Sequence, residues 1–195
     1  TILFKSLNEI RKTQKKHLKD PIGGHFDYGR QGTSTTHALS KILTKLEESY
    51  HVFLTPTGFG SVFLAMFSVV RPGDEILVSD PVYSPTRILT QDFFKDFNIK
   101  AIFYNPKDLY TLKNNITKKT KLIFVENPGS NTFEFQDLSK IISIAKKNKI
   151  FTALDNTWGT PYFLKPIKLG FDMAIVSATK YYSGHSDVMG GSLAV

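Results

Sequence analysis

The sequence has 195 residues, 41% of them hydrophobic and 22% charged, and a formal net charge of +8. Those proportions exclude a wholly disordered chain, and the absence of cysteine excludes disulfides and thiolate-held metals, so no metal site is expected. The longest mostly apolar run, over 62–70, is too short to cross a bilayer, and the N-terminus lacks the order of a signal peptide; a cytoplasmic protein with no membrane partner is expected.

The positive charge invites a nucleic-acid reading. Its distribution argues against one, because the lysines run along the whole chain in small pairs such as Lys15-Lys16, Lys118-Lys119 and Lys146-Lys147, with no aromatic-interleaved basic stretch. A solvated lysine-rich surface is the better account, and no nucleic-acid partner is expected. The length suits one large domain over 35–195 preceded by an N-terminal arm over 1–34.

In chain order, Leu39, Ile42, Leu43 and Leu46 recur at helical spacing and predict an amphipathic helix from Thr36 onward. A short strand over 51–54 follows. Thr57-Gly58-Phe59-Gly60 leads into the apolar run 62–70, read as a buried helix that Arg71-Pro72-Gly73-Asp74 stops in a turn. Strands are then predicted over 75–78, 100–103, 121–125, 150–154 and 173–176, with helices over 84–97 and 137–147 between them. The last residues, 191–195, read as one more strand, expected to lack a partner on one side and to leave a bare edge. Strand, helix, strand repetition predicts an α/β fold with a mostly parallel sheet and helices on both faces.

Sheets of this kind place ligand sites beyond the carboxyl ends of their strands. Here those ends carry Asp80, Glu126, Asp155 and Ser177. Loops after buried strands are polar in any case, so position alone leaves the question open.

The strongest chemical signal is Ser177-Ala178-Thr179-Lys180-Tyr181-Tyr182, a lysine just beyond a buried strand with hydroxyls beside it. A desolvated lysine amine is nucleophilic and forms a Schiff base with an aldehyde cofactor, and Ser177 and Thr179 are placed to donate to a phosphate. For a lone lysine the plainer account is a side chain that snorkels out of a loop. Asp155, at the end of the preceding strand, is suited to pair with a pyridine nitrogen and keep it protonated; a loop acid or helix cap is the alternative. The glycine-rich helix start at Gly58 offers backbone N–H groups to a phosphate. Tyr83 is suited to stack on a flat ring, although a core or surface tyrosine is commoner.

Taken together, Asp155-Asn156-Thr157-Trp158, Ser177-Ala178-Thr179-Lys180-Tyr181 and Gly184-His185-Ser186-Asp187 resemble, in order and spacing, the Cys/Met-metabolism family of pyridoxal 5'-phosphate (PLP) enzymes, members of the fold-type I group. The stretch Tyr28-Gly29-Arg30-Gln31-Gly32-Thr33 is similar to that family's tyrosine-x-arginine segment. The tryptophan at 158 and the run Gly184 to Gly190 resemble the bacterial cystathionine β-lyase branch. The resemblance extends from Tyr28 to Gly191, and it implies the PLP-dependent transferase-like large domain over 35–195.

The resemblance implies roles for these residues. Lys180 and Tyr83 are the catalytic candidates: Lys180 holds PLP covalently and acts as general base and acid, while Tyr83 stacks on the ring. Asp155 binds the pyridine nitrogen, and Gly58, Phe59, Ser177 and Thr179 serve the phosphate. Tyr28 and Arg30 reach the phosphate of a neighbouring subunit, so a homo-oligomer is implied, a dimer of dimers at full length. Asn127 fits the family's loop facing the cofactor, but Gly129-Ser130-Asn131 departs from the usual pattern there. The implied activity is a carbon–sulfur lyase of transsulfuration and methionine biosynthesis, cleaving a small sulfur amino acid such as cystathionine by β-elimination. A γ-lyase, a γ-synthase or a non-catalytic remnant shares the same cofactor residues. Family members continue into a C-terminal domain that supplies the arginine for the substrate carboxylate, so the chain is expected to be the N-terminal half of such an enzyme.

Overall fold

The computed structural model describes residues 2–195. The chain divides into two compact units, Thr1–Leu43 and Thr44–Val195.

The first unit opens with α1 (Leu7–Lys19). Ser6 starts it, its Oγ accepting the Glu9 N–H at 3.2 Å, while the Glu9 carboxylate accepts the Lys5 N–H at 2.7 Å. Lys16, His17 and Lys19 in the last turn suit the negative end of the helix dipole. No side chain of α1 is buried, although Leu7, Ile10 and Leu18 share one face of it; the arm over 1–34 was expected without this helix. A single 3-10 turn follows at Gly29–Gln31. Next comes α2 (Ser34–Glu47), preceded by a reciprocal pair in which the Thr33 N–H donates to Thr36 Oγ1 at 2.8 Å and the Thr36 N–H to Thr33 Oγ1 at 3.3 Å.

The second unit continues from the end of α2 through β1 (Val52–Thr55), α3 (Gly58–Val69), β2 (Glu75–Ser79), α4 (Ser84–Ile88), a π-helical turn (Leu89–Phe93) and α5 (Phe94–Asp96). After these come β3 (Lys100–Tyr104), α6 (Leu109–Asn114), β4 (Thr120–Glu126), α7 (Leu138–Asn148) and β5 (Phe151–Asp155). The single turns α8 (Thr160–Phe163) and α9 (Pro166–Leu169), then β6 (Met173–Val176) and β7 (Gly191–Ala194), complete it. The strands form one seven-stranded sheet in the order β1-β7-β6-β5-β4-β2-β3. β3, β2, β4, β5 and β6 run parallel; β7 is antiparallel to both of its neighbours.

That order corrects the expected bare edge at 191–195. β7 lies between β6 and β1, with Leu193 paired to Ile175 on one side and to Phe53 on the other. The chain returns to fill a gap rather than extend the sheet, and β1 and β3 are the edges.

The mostly parallel sheet with helices on both faces follows from the side-chain alternation of its central strands. On β4, Leu122 and Phe124 join Val62, Ala65 and Met66 of α3 in one apolar cluster with Ile76, Val78 and Ile175. Ile123 and Val125 point the other way and join Ile141, Ile142 and Ala145 of α7 with Leu77 and Leu154. Both clusters are closed to solvent, which is why β2, β4 and β6 read as unbroken apolar runs.

The single helix expected over 84–97 is interrupted by the π turn. There the Thr90 hydroxyl lies 3.0 Å from the carbonyls of both Thr86 and Arg87, a back-bonding that bends a helix and that no apolar spacing reveals. Among the described residues, no helix is long and apolar enough to cross a membrane.

Candidate active site at the carboxyl ends of the strands

Because β2, β4, β5 and β6 are parallel, Glu126, Asp155 and Ser177 and the loop after Ser79 leave the sheet at one edge. A cavity of about 320 Å³ opens there, and the helix start Thr57-Gly58-Phe59 forms one wall of it. Tyr83, Glu126, Asp155, Ser177, Thr179 and Lys180 line it as well. All the site candidates of the second unit therefore face one space.

Thr57 caps α3, its Oγ1 accepting the Gly60 N–H at 2.9 Å. The first N–H groups of a helix have no partner within it, so those of Gly58 and Phe59 are available to an anion, with the positive end of the dipole behind them. Gly58 has to be glycine. A Cβ there would meet Ser177 Cβ and Oγ at 2.5 Å, so the helix start and the exit of β6 approach too closely for a side chain.

Thr157 ties this wall to the floor. Its N–H donates to Asp155 Oδ1 at 3.0 Å, and its Oγ1 accepts the Ser177 N–H at 2.9 Å. Asp155 is half-buried. Desolvation pushes its carboxyl above the ordinary carboxylate range, against the hydrogen bonds from Thr157. A cation placed over it would recover that lost stabilisation.

Lys180 stands on the loop after β6, where its N–H donates to the Ser177 carbonyl at 3.0 Å and its carbonyl accepts the Gly184 N–H at 2.8 Å. The side chain is exposed at the rim of the cavity. Tyr83, at the start of α4, is 48% exposed and lies open to a ring from the cavity side. The Thr179 hydroxyl is engaged within the protein, since it donates to the Gly190 carbonyl at 3.2 Å and accepts the Gly190 N–H at 3.1 Å.

Tyr28 and Arg30 belong to the first unit, where the Arg30 guanidinium lies over the Tyr28 ring, 5.7 Å from its centroid. Asn127 is outside the lining; it is buried, and its Oδ1 accepts the Gln136 N–H at 2.7 Å. Asp80, one of the polar strand ends, is paired with Arg87 at 2.7 Å in a neighbouring depression. Glu126, Ser130, Thr157, Trp158 and Met189 also line the cavity without having been site candidates. Glu126 stood at a strand exit, and Thr157, Trp158 and Met189 lay within the stretches that carry the family resemblance.

These features define a parallel α/β domain with an anion-binding helix start, a carboxylate and a lysine at one strand-end cavity. The family described as Cys/Met metabolism PLP-dependent enzyme matches residues 5–195, and the chain belongs to that family. A cystathionine β-lyase of Bordetella avium is 32% identical over 99% of this chain and 48% of its own length. An L-alanine/L-glutamate racemase of Wolbachia pipientis wMel is 33% identical over 90% of this chain and 43% of its own. Among solved structures, metY from Campylobacter jejuni subsp. jejuni, which carries an N'-pyridoxyl-lysine-5'-monophosphate, superposes with a TM-score of 0.89 at 30% identity, covering 100% of this chain and 47% of that one. The chain spans about half the length of the relatives it matches.

PLP is the cofactor of the family, and the residues present fit it. The desolvated Asp155 carboxyl suits a cationic ring nitrogen, the open N–H groups at Gly58 and Phe59 suit a phosphate, and Lys180 lies on the same cavity.

Proposed function

We propose that Lys180 carries PLP covalently, that Asp155 binds its ring nitrogen, and that the whole protein cleaves a carbon–sulfur bond of a small amino acid by β-elimination, cystathionine being the substrate in view. The observation that carries this reading is the presence of Lys180, Asp155 and the α3 start on one cavity. When bound, the cofactor supplies an electron sink for charge that develops at the substrate Cα.

The chain's own residues supply the rest. Gly58 and Phe59 N–H groups, with the Ser177 hydroxyl, hold the phosphate at the helix start. The Tyr83 ring bounds the face of the cofactor and keeps water from it. Asp155 holds the proton on the ring nitrogen, aided by the Thr157 N–H that fixes its carboxylate. Lys180 Nζ takes the Cα proton and returns one later, the role of a base placed beside the reacting carbon. Electrons from the broken Cα–H bond expel the β-thiolate, so that homocysteine leaves and pyruvate and ammonia follow on hydrolysis. Tyr28 and Arg30 serve the phosphate of a neighbouring subunit in a homo-oligomer, and the protein works in the cytoplasm.

A second reading rests on one observation. Lys180 is the sole cationic side chain among the residues lining the cavity, so the substrate carboxylate needs a partner from elsewhere. Without such a partner the site would hold PLP without turning over.

Visible absorbance and borohydride reduction followed by peptide mass spectrometry test the cofactor site; the label is expected on Lys180. Pyruvate release from cystathionine tests the reaction, and Lys180→Ala should abolish it. Label on another lysine would sink the assignment. A labelled protein that releases no pyruvate would favour the second reading.

A further inference from the structure

Glu126 and Asp155 are the last residues of β4 and β5 and pair directly in register. Adjacent strands lie about 4.8 Å apart, so two carboxyl groups leave the sheet side by side on one face, and neighbouring buried carboxylates do not both ionise. The other groups hydrogen-bonded to Glu126 are neutral. The Tyr83 N–H donates to its Oε2 at 2.7 Å, and the Ser130 hydroxyl donates to the same carboxyl. Its backbone N–H meets Ser79 Oγ at 3.2 Å, and Gln136 Nε2 donates to its carbonyl at 3.1 Å. On α4, Arg87 is committed to Asp80, and Lys180 stands exposed at the cavity rim.

We propose that Glu126 is a positioning residue that works as a neutral acid: it keeps the proton of the Glu126–Asp155 pair, leaves the negative charge on Asp155 for a cationic ring, and anchors the Tyr83 backbone at the cavity wall. This rests on the cofactor-site reading above. The two acids are unequal in the required sense. Both line the cavity, but Glu126 is only 6% exposed and its Oε2 is taken up by the Tyr83 N–H, whereas Asp155 is half-buried and more open to a cation placed there. An ionised Glu126 would force a proton onto Asp155 and remove the charge that the ring nitrogen needs.

Burial first, and then the charge of Asp155, push the Glu126 carboxyl up to about 8, against the hydrogen bonds from Tyr83 and Ser130. The folded-state value lies above the ordinary 4.5. Its contribution to stability is therefore fully present below the ordinary value and is lost as pH rises towards the folded one.

The test compares wild type, Glu126→Gln and Glu126→Ala. Thermal unfolding without PLP is followed from about pH 5 to about pH 9, and PLP binding at neutral pH is followed by visible absorbance. A glutamine mimics the neutral acid, keeping both an acceptor for Tyr83 and a donor. The wild-type midpoint should fall with pH and that of Glu126→Gln should fall clearly less. Glu126→Ala should bind PLP at least about tenfold more weakly, and Glu126→Gln should recover affinity to within about threefold. Should Glu126→Ala fail to fold, the pH course of Glu126→Gln carries the test. A glutamine variant that tracks the wild-type pH course, or binds PLP as poorly as the alanine variant, overturns the proposal. A wild-type protein that takes up no PLP overturns the cofactor-site reading as well, so the two failures are told apart.

Discussion

Gly58 and Ser177 approach so closely that a methyl group on Gly58 would lie 2.5 Å from the Ser177 side chain. The contact joins the start of α3 to the exit of β6, the two elements that bring a helix N-terminus and the Lys180 loop to one cavity. Gly58→Ala should therefore act twice. Overpacking costs about 1–3 kcal/mol, and the displaced helix start should weaken PLP binding. Ser177→Gly removes two of the three crowding atoms, so the double variant should regain part of the lost stability. Denaturant midpoints for the four members of the cycle measure that coupling; strictly additive effects would show that the two residues do not meet.

Asp155→Asn separates fold from chemistry. The amide keeps an oxygen for the Thr157 N–H, so the unfolding midpoint should not fall, and removal of a desolvated carboxyl should even raise it slightly at neutral pH. An amide cannot hold a proton on the ring nitrogen, and stabilisation of charge developing in the transition state should drop by on the order of 10²–10³ in kcat. The measurement is turnover beside PLP affinity. A variant with kcat within about tenfold of wild type would remove Asp155 from the charge-holding role.

Much of this architecture is legible in the sequence because the core strands are buried on both faces. Leu122-Ile123-Phe124-Val125 has to be a continuous apolar run when alternate residues feed two clusters. The candidates around Lys180 and Asp155 were legible for another reason: they follow strand ends, and parallel strands end together. What stayed hidden depends on contacts distant in sequence or on local hydrogen bonds. The place of β7 between β1 and β6 is a matter of topology that 191–195 does not encode by itself. The π turn is marked by the hydrogen bonds of one threonine hydroxyl, and α1 carries only a sparse apolar stripe of Leu7, Ile10 and Leu18 among charges, none of it buried. Glu126 was visible as a strand-end acid, but only the register places it beside Asp155.

Glu47 and the half-buried Tyr182 form a second polar pair, outside the residues that line the cavity. Glu47 is fully buried, its Oε1 accepts the Tyr182 hydroxyl at 2.8 Å, and its Oε2 has no hydrogen-bond partner. Desolvation raises its carboxyl above the ordinary value of 4.5, although Tyr182 and the Lys165 charge oppose the rise. A raised folded-state value means stability that is present at acid pH and lost as pH rises through the folded value. Glu47→Gln keeps the acceptor for Tyr182 and cannot ionise. It should gain on the order of 1 kcal/mol at mildly alkaline pH and little at acid pH. A loss of stability across the whole range would mean that the ionised carboxylate is the form the fold requires.

Thr179 was expected to serve a phosphate, and its hydroxyl is instead engaged in both directions with Gly190. Those two bonds close the loop that carries Lys180, so the residue should act by holding the loop rather than by touching an anion. Thr179→Val keeps the side-chain shape and leaves the Gly190 N–H without its partner, while the Gly190 carbonyl keeps the Thr179 N–H at 3.2 Å; the cost should be about 1–3 kcal/mol. Limited proteolysis should then cut within 180–189 sooner than in wild type. Thr179→Ser restores the hydroxyl and should restore the protection. The two roles also separate in binding: a loop clasp predicts that inorganic phosphate protects the wild-type and valine proteins at equal concentrations, whereas a direct donor predicts that valine shifts that concentration upward by about tenfold.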